Sequence, residues 1–222
     1  MITVHGYAGR PGDDLRAAAA YATVVVGGRR HLDALAVPED RRVVLGPIAP
    51  ALEALAALPP DADALVVASG DPLFYGIVRR LRRAGLPVRV MPTVTSLQLA
   101  FAAVALPWDD ALLVSLHGND PAPGLAACRT HPKVGVLTDP GTGFADVVRA
   151  TADLGRTYVL AERLGESDER VRVLGVPEAL TVTDVAQPHV VLVLAHHPDD
   201  PDALGVQHPI AGGVRPHPEV LA

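Results

Sequence analysis

The sequence predicts an α/β fold, a mostly parallel sheet covered by helices. Three observations carry this expectation. Apolar runs of strand length alternate with segments of helical periodicity. Short turns rich in glycine, aspartate or hydroxyl residues follow several of those runs, where an open parallel sheet receives its ligands. Finally, Leu106-Pro107-Trp108-Asp109-Asp110 interrupts the alternation and sets a boundary between residues 1–107 and 108–195.

Taken in order, Ile2–His5 reads as a strand and Asp13–Ala22 as a helix whose two opening acids suit its N-terminal dipole. Thr23–Val26 is a strand, Arg30–Leu35 a short helix, Arg42–Leu45 a strand and Ile48–Leu58 an Ala/Leu-rich helix. Ala64–Ala68 is apolar throughout, the pattern of a strand buried on both faces. A helix over Leu73–Ala84, a strand Val88–Met91 and a helix Ser96–Val104 complete the first unit. Beyond the boundary, strands are expected at Ala111–Ser115, Val134–Leu137, Tyr158–Glu162, Val171–Leu174 and Val190–Ala195, with a helix at Phe144–Leu154. From His196 to residue 222 the chain reads as a poorly ordered polar tail.

Composition narrows the function classes. The net charge of −6 gives no general attraction to nucleic acid. No apolar stretch approaches a membrane span and no leader segment is visible, so a cytoplasmic protein is expected. Cys128 is the single cysteine and reads as a small buried apolar residue. Positive charge clusters at Arg29-Arg30-His31, Arg41-Arg42 and Arg79-Arg80 with Arg82-Arg83. Much of this arginine bias fits a GC-rich genome, but arginines beside a cleft suit a ligand with many carboxylates.

Several familiar sites are excluded. The loop Gly6-Tyr7-Ala8-Gly9-Arg10-Pro11-Gly12 stands where a dinucleotide fold carries GxGxxG, but Ala8 replaces the second glycine and Arg10-Pro11 interrupts the turn. The next strand ends in Gly27-Gly28 rather than a ribose-binding acid. Ser69 and Ser96 lack the context of a nucleophile elbow. His196, His197, His208 and His217 crowd the tail and read as solvated side chains, so no metal site is expected.

What remains is a series of loops after strand ends. Ser69-Gly70-Asp71-Pro72-Leu73-Phe74-Tyr75-Gly76 follows the most apolar strand. Its acid disfavours phosphate and suits a cationic or hydroxyl-bearing ligand such as a sulfonium. Pro92–Ser96, His117-Gly118 and Thr138-Asp139-Pro140-Gly141 follow later strands. For Thr95 or Ser96 alone, helix capping is at least as good a reading as ligand binding.

That series resembles the tetrapyrrole (corrin/porphyrin) methylase family, and within it the precorrin-6Y C5,15-methyltransferase / cobalt-precorrin-7 C5-methyltransferase branch. The likeness runs from about residue 2 to 195. It is carried by Val25-Val26-Gly27-Gly28-Arg29-Arg30-His31-Leu32, the Ser69–Gly76 run, Ser96-Leu97-Gln98-Leu99-Ala100-Phe101 and Leu106–Ala111. Ser115-Leu116-His117-Gly118, Val136-Leu137-Thr138-Asp139 and Glu162-Arg163-Leu164-Gly165-Glu166 with Ser167–Arg170 continue it.

The resemblance implies two α/β domains with the active site in the cleft between them, commonly in a homodimer. It implies S-adenosylmethionine as cofactor, held at Gly9, Ser69, Gly70, Asp71, Phe74, Thr95, Ser96, His117 and Leu164. Arg29, Arg30, His31 and Tyr75 are the corresponding candidates for binding a precorrin or cobalt-precorrin substrate. The reaction implied is in-line methyl transfer to C5, resting on alignment rather than on a strong protein base. The family's bifunctional members also act at C15, and this chain's length implies a separate protein for that step. One departure is local: the family's first loop reads Gly-x-Gly-Pro-Gly, and its proline falls at Gly9. A branch-specific loop is the reading taken. A non-catalytic tetrapyrrole binder, or a methylase of the same fold acting on RNA or protein, is the alternative.

Overall fold

The computed structural model describes residues 1–59, 61–118 and 120–205. Its first sheet contains β1 (Ile2–Tyr7), β2 (Val24–Gly27), β3 (Arg42–Val44), β4 (Ala64–Ser69) and β5 (Val88–Met91), in the order β3-β2-β4-β1-β5. Every pair is parallel, as the alternation predicts. Helices α1 (Asp13–Tyr21), α2 (Arg29–Ala34), α3 (Ile48–Ala56) and α4 (Val78–Arg83) connect these strands.

Burial on both faces explains the near-continuous apolar strands. Val4, Val26 and Val66 pack with Leu55, Val78 and Leu81 in one cluster, while Val25, Leu65 and Val67 pack with Leu15 and Leu32 in another. The strand period of two sends neighbouring residues of β2 and β4 into different clusters.

The second sheet holds β6 (Leu112–Ser115), β7 (Lys133–Leu137), β8 (Thr157–Glu162), β9 (Arg170–Leu174) and β10 (His189–Leu194) in the order β6-β7-β10-β8-β9. This sheet is mixed. Only β6–β7 is parallel; β7–β10, β10–β8 and β8–β9 are antiparallel. Helices α6 (Ala122–Thr130), α7 (Phe144–Thr151) and α8 (Val176–Thr181) flank this sheet, with Cys128, Phe144, Val147 and Ala179 in one core cluster with Tyr158, Val191 and Val193.

Helix α5 (Ser96–Ala103) follows β5 in sequence but packs on the second sheet. Leu97, Ala100 and Phe101 are buried against Val159, Val190, Leu192 and Leu194. Truncating a buried phenylalanine such as Phe101 costs about 3–5 kcal/mol. Lys133, itself buried, reaches back to the boundary segment, donating to the Pro107 carbonyl at 3.0 Å and to Asp110 at 2.5 Å.

Three local differences have visible causes. The helix expected over Leu73–Ala84 is confined to Val78–Arg83. Ahead of it, Asp71 captures the Leu73 N–H at 2.8 Å, and Tyr75 takes a left-handed φ of +53°. Helices α6 and α8 were not expected, because Pro and Gly open the first and Pro177 stands in the first turn of the second. Part of the tail is packed: Pro201–Leu204 forms a 3₁₀ turn whose Ala203 joins the α5 cluster. His208 and His217 lie outside the described residues.

Candidate functional site

The carboxyl ends of β1, β4 and β5 meet those of β6, β7 and β8 around a cleft of about 680 Å³. That is the size range of small-molecule and cofactor sites. Of the residues implied for cofactor and substrate, Gly9, Arg30, Ser69, Gly70, Phe74, Tyr75, Ser96, His117 and Leu164 line it. Arg29, His31, Asp71 and Thr95 do not.

Gly70 is fixed by the strand end. Its N–H donates to the Tyr7 carbonyl at 2.7 Å, and its φ is +62°, which favours glycine. A Cβ there would stand 3.7 Å from the Ser96 nitrogen, so glycine keeps a gap open between this turn and the start of α5. Asp71 is not among the residues lining the cleft. Its carboxylate accepts from Leu73 N–H at 2.8 Å and from Thr93 N–H at 3.3 Å, tying the β4 loop to the β5 loop. The acid therefore holds two walls in register.

Thr95 is likewise structural. Its hydroxyl accepts from Gln98 N–H at 3.1 Å while Gln98 returns the bond to Thr95 N–H at 2.8 Å, a complete capping box. The cap leaves Ser96, the first residue of α5, on the cleft. His31 is 5% exposed, lies 4.6 Å from the Tyr7 ring and sits with Nε2 3.2 Å from the Ser69 hydroxyl. Burial, with the neighbouring Arg30 charge, lowers its pKa to about 4. A neutral, enclosed imidazole supports Ser69 rather than a substrate carboxylate.

The two units touch across the cleft. Gly9 has φ +72° and occupies a turn closed by Arg10 N–H donating to the Ala8 carbonyl at 2.9 Å. A Cβ on Gly9 would collide with the Gly165 carbonyl and Cα, and Gly165 itself has φ +80°. Two glycine backbones thus make the contact. Proline, fixed near φ −65°, cannot take this conformation. The departure from the family's usual loop therefore accompanies a different, well-packed turn, which counts against a spoiled site. Beside it, Arg30 donates to Glu166 at 2.8 Å, and Tyr75 Oη donates to the Leu113 carbonyl at 3.3 Å.

The 163–169 turn is held from beneath. Glu162 is fully buried, accepting from Arg170 at 2.8 and 2.9 Å, from Arg172 at 3.1 Å and from Ala186 N–H at 2.7 Å. Burial opposes its charge, but the Arg170 and Ala186 hydrogen bonds outweigh it and keep its carboxyl below the usual range. Hydrogen bonds from Arg170 and Arg172 bring Asp184 down to about 2. On the opposite wall, His117 Nδ1 stands 2.9 Å from Asp139, joining the β6 and β7 loops.

Sequence reasoning missed several lining residues. Gln187 and Pro188 enter from the loop before β10, His189 from the start of that strand, and Glu166 from the β8–β9 turn. Arg79, Arg80 and Arg83 of α4 also face the cleft. Their clustering was visible; the helix rotation that brings them to the site was not. Outside the lining, His196, Asp200 and Asp202 gather their ligand atoms within 4.8 Å, an exposed grouping common without an ion. Among the described residues no helix is long and apolar enough to cross a membrane.

Comparison with known proteins agrees with this architecture. The profile of the Tetrapyrrole (Corrin/Porphyrin) Methylases matches residues 11–179. A cobalt-precorrin-7 C(5)-methyltransferase of Salmonella typhimurium is 33% identical over 186 residues, covering 79% of this chain and 91% of that protein. A decarboxylating precorrin-6Y C(5,15)-methyltransferase of Sinorhizobium is 34% identical over 170 residues, 72% of this chain but 40% of the longer protein. Among solved structures, the uroporphyrin-III C-methyltransferase of Thermus thermophilus in complex with S-adenosylhomocysteine superposes with a TM-score of 0.62. It is 23% identical and the match covers 87% of this chain and 91% of that one, which shows a shared fold.

Proposed function

Because the chain belongs to the tetrapyrrole (corrin/porphyrin) methylases, we propose that it uses S-adenosylmethionine to methylate a precorrin macrocycle at C5 in cobalamin biosynthesis. The observation that carries this reading is the near full-length match to a C(5)-methyltransferase. The loops expected to hold the cofactor also converge on one cleft.

The cleft suits the cofactor. Gly70 leaves the space a side chain would fill, Ser96 offers a hydroxyl, and Phe74 and Leu164 offer apolar walls. When bound, S-adenosylmethionine supplies a methyl group on a cationic sulfur, and transfer forms a carbon–carbon bond as the carbon–sulfur bond breaks. The chain's own part is alignment. Asp71 fixes the β4 loop against the β5 loop, the Thr95 cap presents Ser96, and Gly9 against Gly165 sets the width between the two units. No side chain is needed as a strong base, since a meso carbon of a reduced macrocycle is already enamine-like.

A homodimer, a cytoplasmic location and a separate protein for C15 chemistry belong to the same proposal. The direct test is incubation with methyl-labelled S-adenosylmethionine and cobalt-precorrin-7 or its metal-free equivalent, followed by mass analysis. One labelled methyl on the macrocycle is expected; no gain on either macrocycle overturns the proposal.

A further inference from the structure

We propose that Arg79, Arg80 and Arg83 form the docking edge for the carboxylate side chains of the macrocycle. This rests on the reading of the cleft as a tetrapyrrole site and names the residues that receive the substrate's charge.

Helix α4 is oriented by Val78 and Leu81, both buried in the first core. Its four arginines are therefore exposed, and 79, 80 and 83 of them line the cleft. Among the described residues none of these three guanidinium groups has an acidic partner within ion-pair distance. Several arginines elsewhere are held by acids: Arg42 by Asp33, Arg129 by Asp153, Arg163 by Asp168, Arg170 and Arg172 by Glu162. Among the described residues the single acid in the cleft lining is Glu166, and it is already bonded to Arg30 at 2.8 Å. A chain of net charge −6 thus leaves an uncompensated positive edge on this cleft.

The helix itself does not account for that edge. Cations in the last turn of a helix complement its dipole, which covers Arg80 and Arg83. Arg79 stands in the first turn, where the dipole opposes it, and the like-charged i,i+4 pair with Arg83 adds repulsion. Carboxylates arriving from the cleft relieve both costs. Guanidinium forks pair with them bidentately, and side chains at i and i+4 stand close enough to receive two groups on one edge of a flat ring. This moves the substrate's anionic contacts away from Arg29 and His31, which do not reach the cleft, and from Arg30, which Glu166 occupies.

The experiment compares the cleft pair R79Q/R83Q with an off-cleft pair of equal charge, R82Q/R89Q. The probes are uroporphyrin, a porphyrin with carboxylates on every side chain, followed by fluorescence, and S-adenosylhomocysteine, followed by calorimetry. The cleft pair is expected to bind uroporphyrin at least about tenfold more weakly, to raise KM for the precorrin, and to lose most of the salt dependence of binding. Its affinity for S-adenosylhomocysteine is expected to stay unchanged, which also shows that it folds. R79K/R83K, keeping charge without the fork, is expected to fall between. Equal uroporphyrin affinity for the two pairs overturns the assignment, as does an equal loss of both probes in the cleft pair. A wild-type chain that binds uroporphyrin through these arginines yet transfers no methyl overturns the C5 reading and leaves this one standing.

Discussion

Replacing Gly9 with alanine puts a methyl group where the Gly165 backbone already lies. Two costs are separable. A non-glycine residue at φ +72° carries about 1–2 kcal/mol of backbone strain. The collision is with main chain rather than a movable side-chain tip, and forcing atoms into such a contact costs about a further 1–3 kcal/mol. Gly85 supplies the control, with φ +76° and no atom within 4 Å of its added Cβ. Gly85→Ala therefore registers the strain alone. For a chain of this size each kcal/mol moves the melting temperature by about 2–4 °C, so Gly9→Ala should unfold about 2–12 °C below Gly85→Ala. The collision also separates Gly9 from the turn carrying Leu164, so Gly9→Ala should weaken S-adenosylhomocysteine binding while Gly85→Ala should not. Gly9→Pro, which installs the family's usual residue, should be at least as damaging, because proline cannot reach this φ. Identical melting temperatures and affinities for the two alanine variants would refute the backbone contact on which this reasoning depends.

Three further outcomes are expected. Thr95→Ala should lose about 1 kcal/mol in chemical denaturation with S-adenosylhomocysteine affinity intact, and Ser96→Ala should do the reverse; the opposite pattern would make Thr95 the ligand. Glu162→Ala should cost about 3–5 kcal/mol in a denaturant titration, since it breaks a buried ion pair. Glu162 and Asp184 are both depressed in the folded state, so their stabilisation is present above their unfolded pKa values near about 4 and is lost as pH falls. Glu162→Gln/Asp184→Asn should flatten that acid limb, and an unchanged acid limb would contradict the network. His31 has its pKa lowered to about 4 from 6.5, so the unfolded chain takes the proton first. It should withdraw up to about 3 kcal/mol of stability as pH falls from 6.5 towards 4, and its ring resonances should not titrate between about pH 8 and 5. A midpoint near 6.5 in a proton NMR titration would place the ring in solvent.

The strands were legible because burial on both faces of β4 and β10 writes an uninterrupted apolar run into the sequence. Strand direction was not, since a run such as Val190–Leu194 reads the same in a parallel or antiparallel ladder. The first turn of the helix expected at Leu73 was lost to the Asp71 side chain and to Tyr75, whose left-handed backbone no propensity signals. The cleft loops could be found because they follow strand ends. Which side chains face the cleft could not. Asp71 and Thr95 turn their polar atoms to backbone N–H groups of neighbouring loops, and Arg79 and Arg83 reach the cleft through a rotation set by Val78 and Leu81. Gly9 marked a departure from the family pattern, but its cause, Gly165, lies in the other half of the chain.

The most direct measurement locates the transferred methyl. The chain would be incubated with S-adenosylmethionine carrying a carbon-13 methyl and with cobalt-precorrin-7 or its metal-free equivalent, and the product read by carbon NMR. The account predicts a single enriched methyl bonded to C5 and S-adenosylhomocysteine in equal amount. Label at another ring position, or label released to water with the macrocycle unchanged, would contradict it.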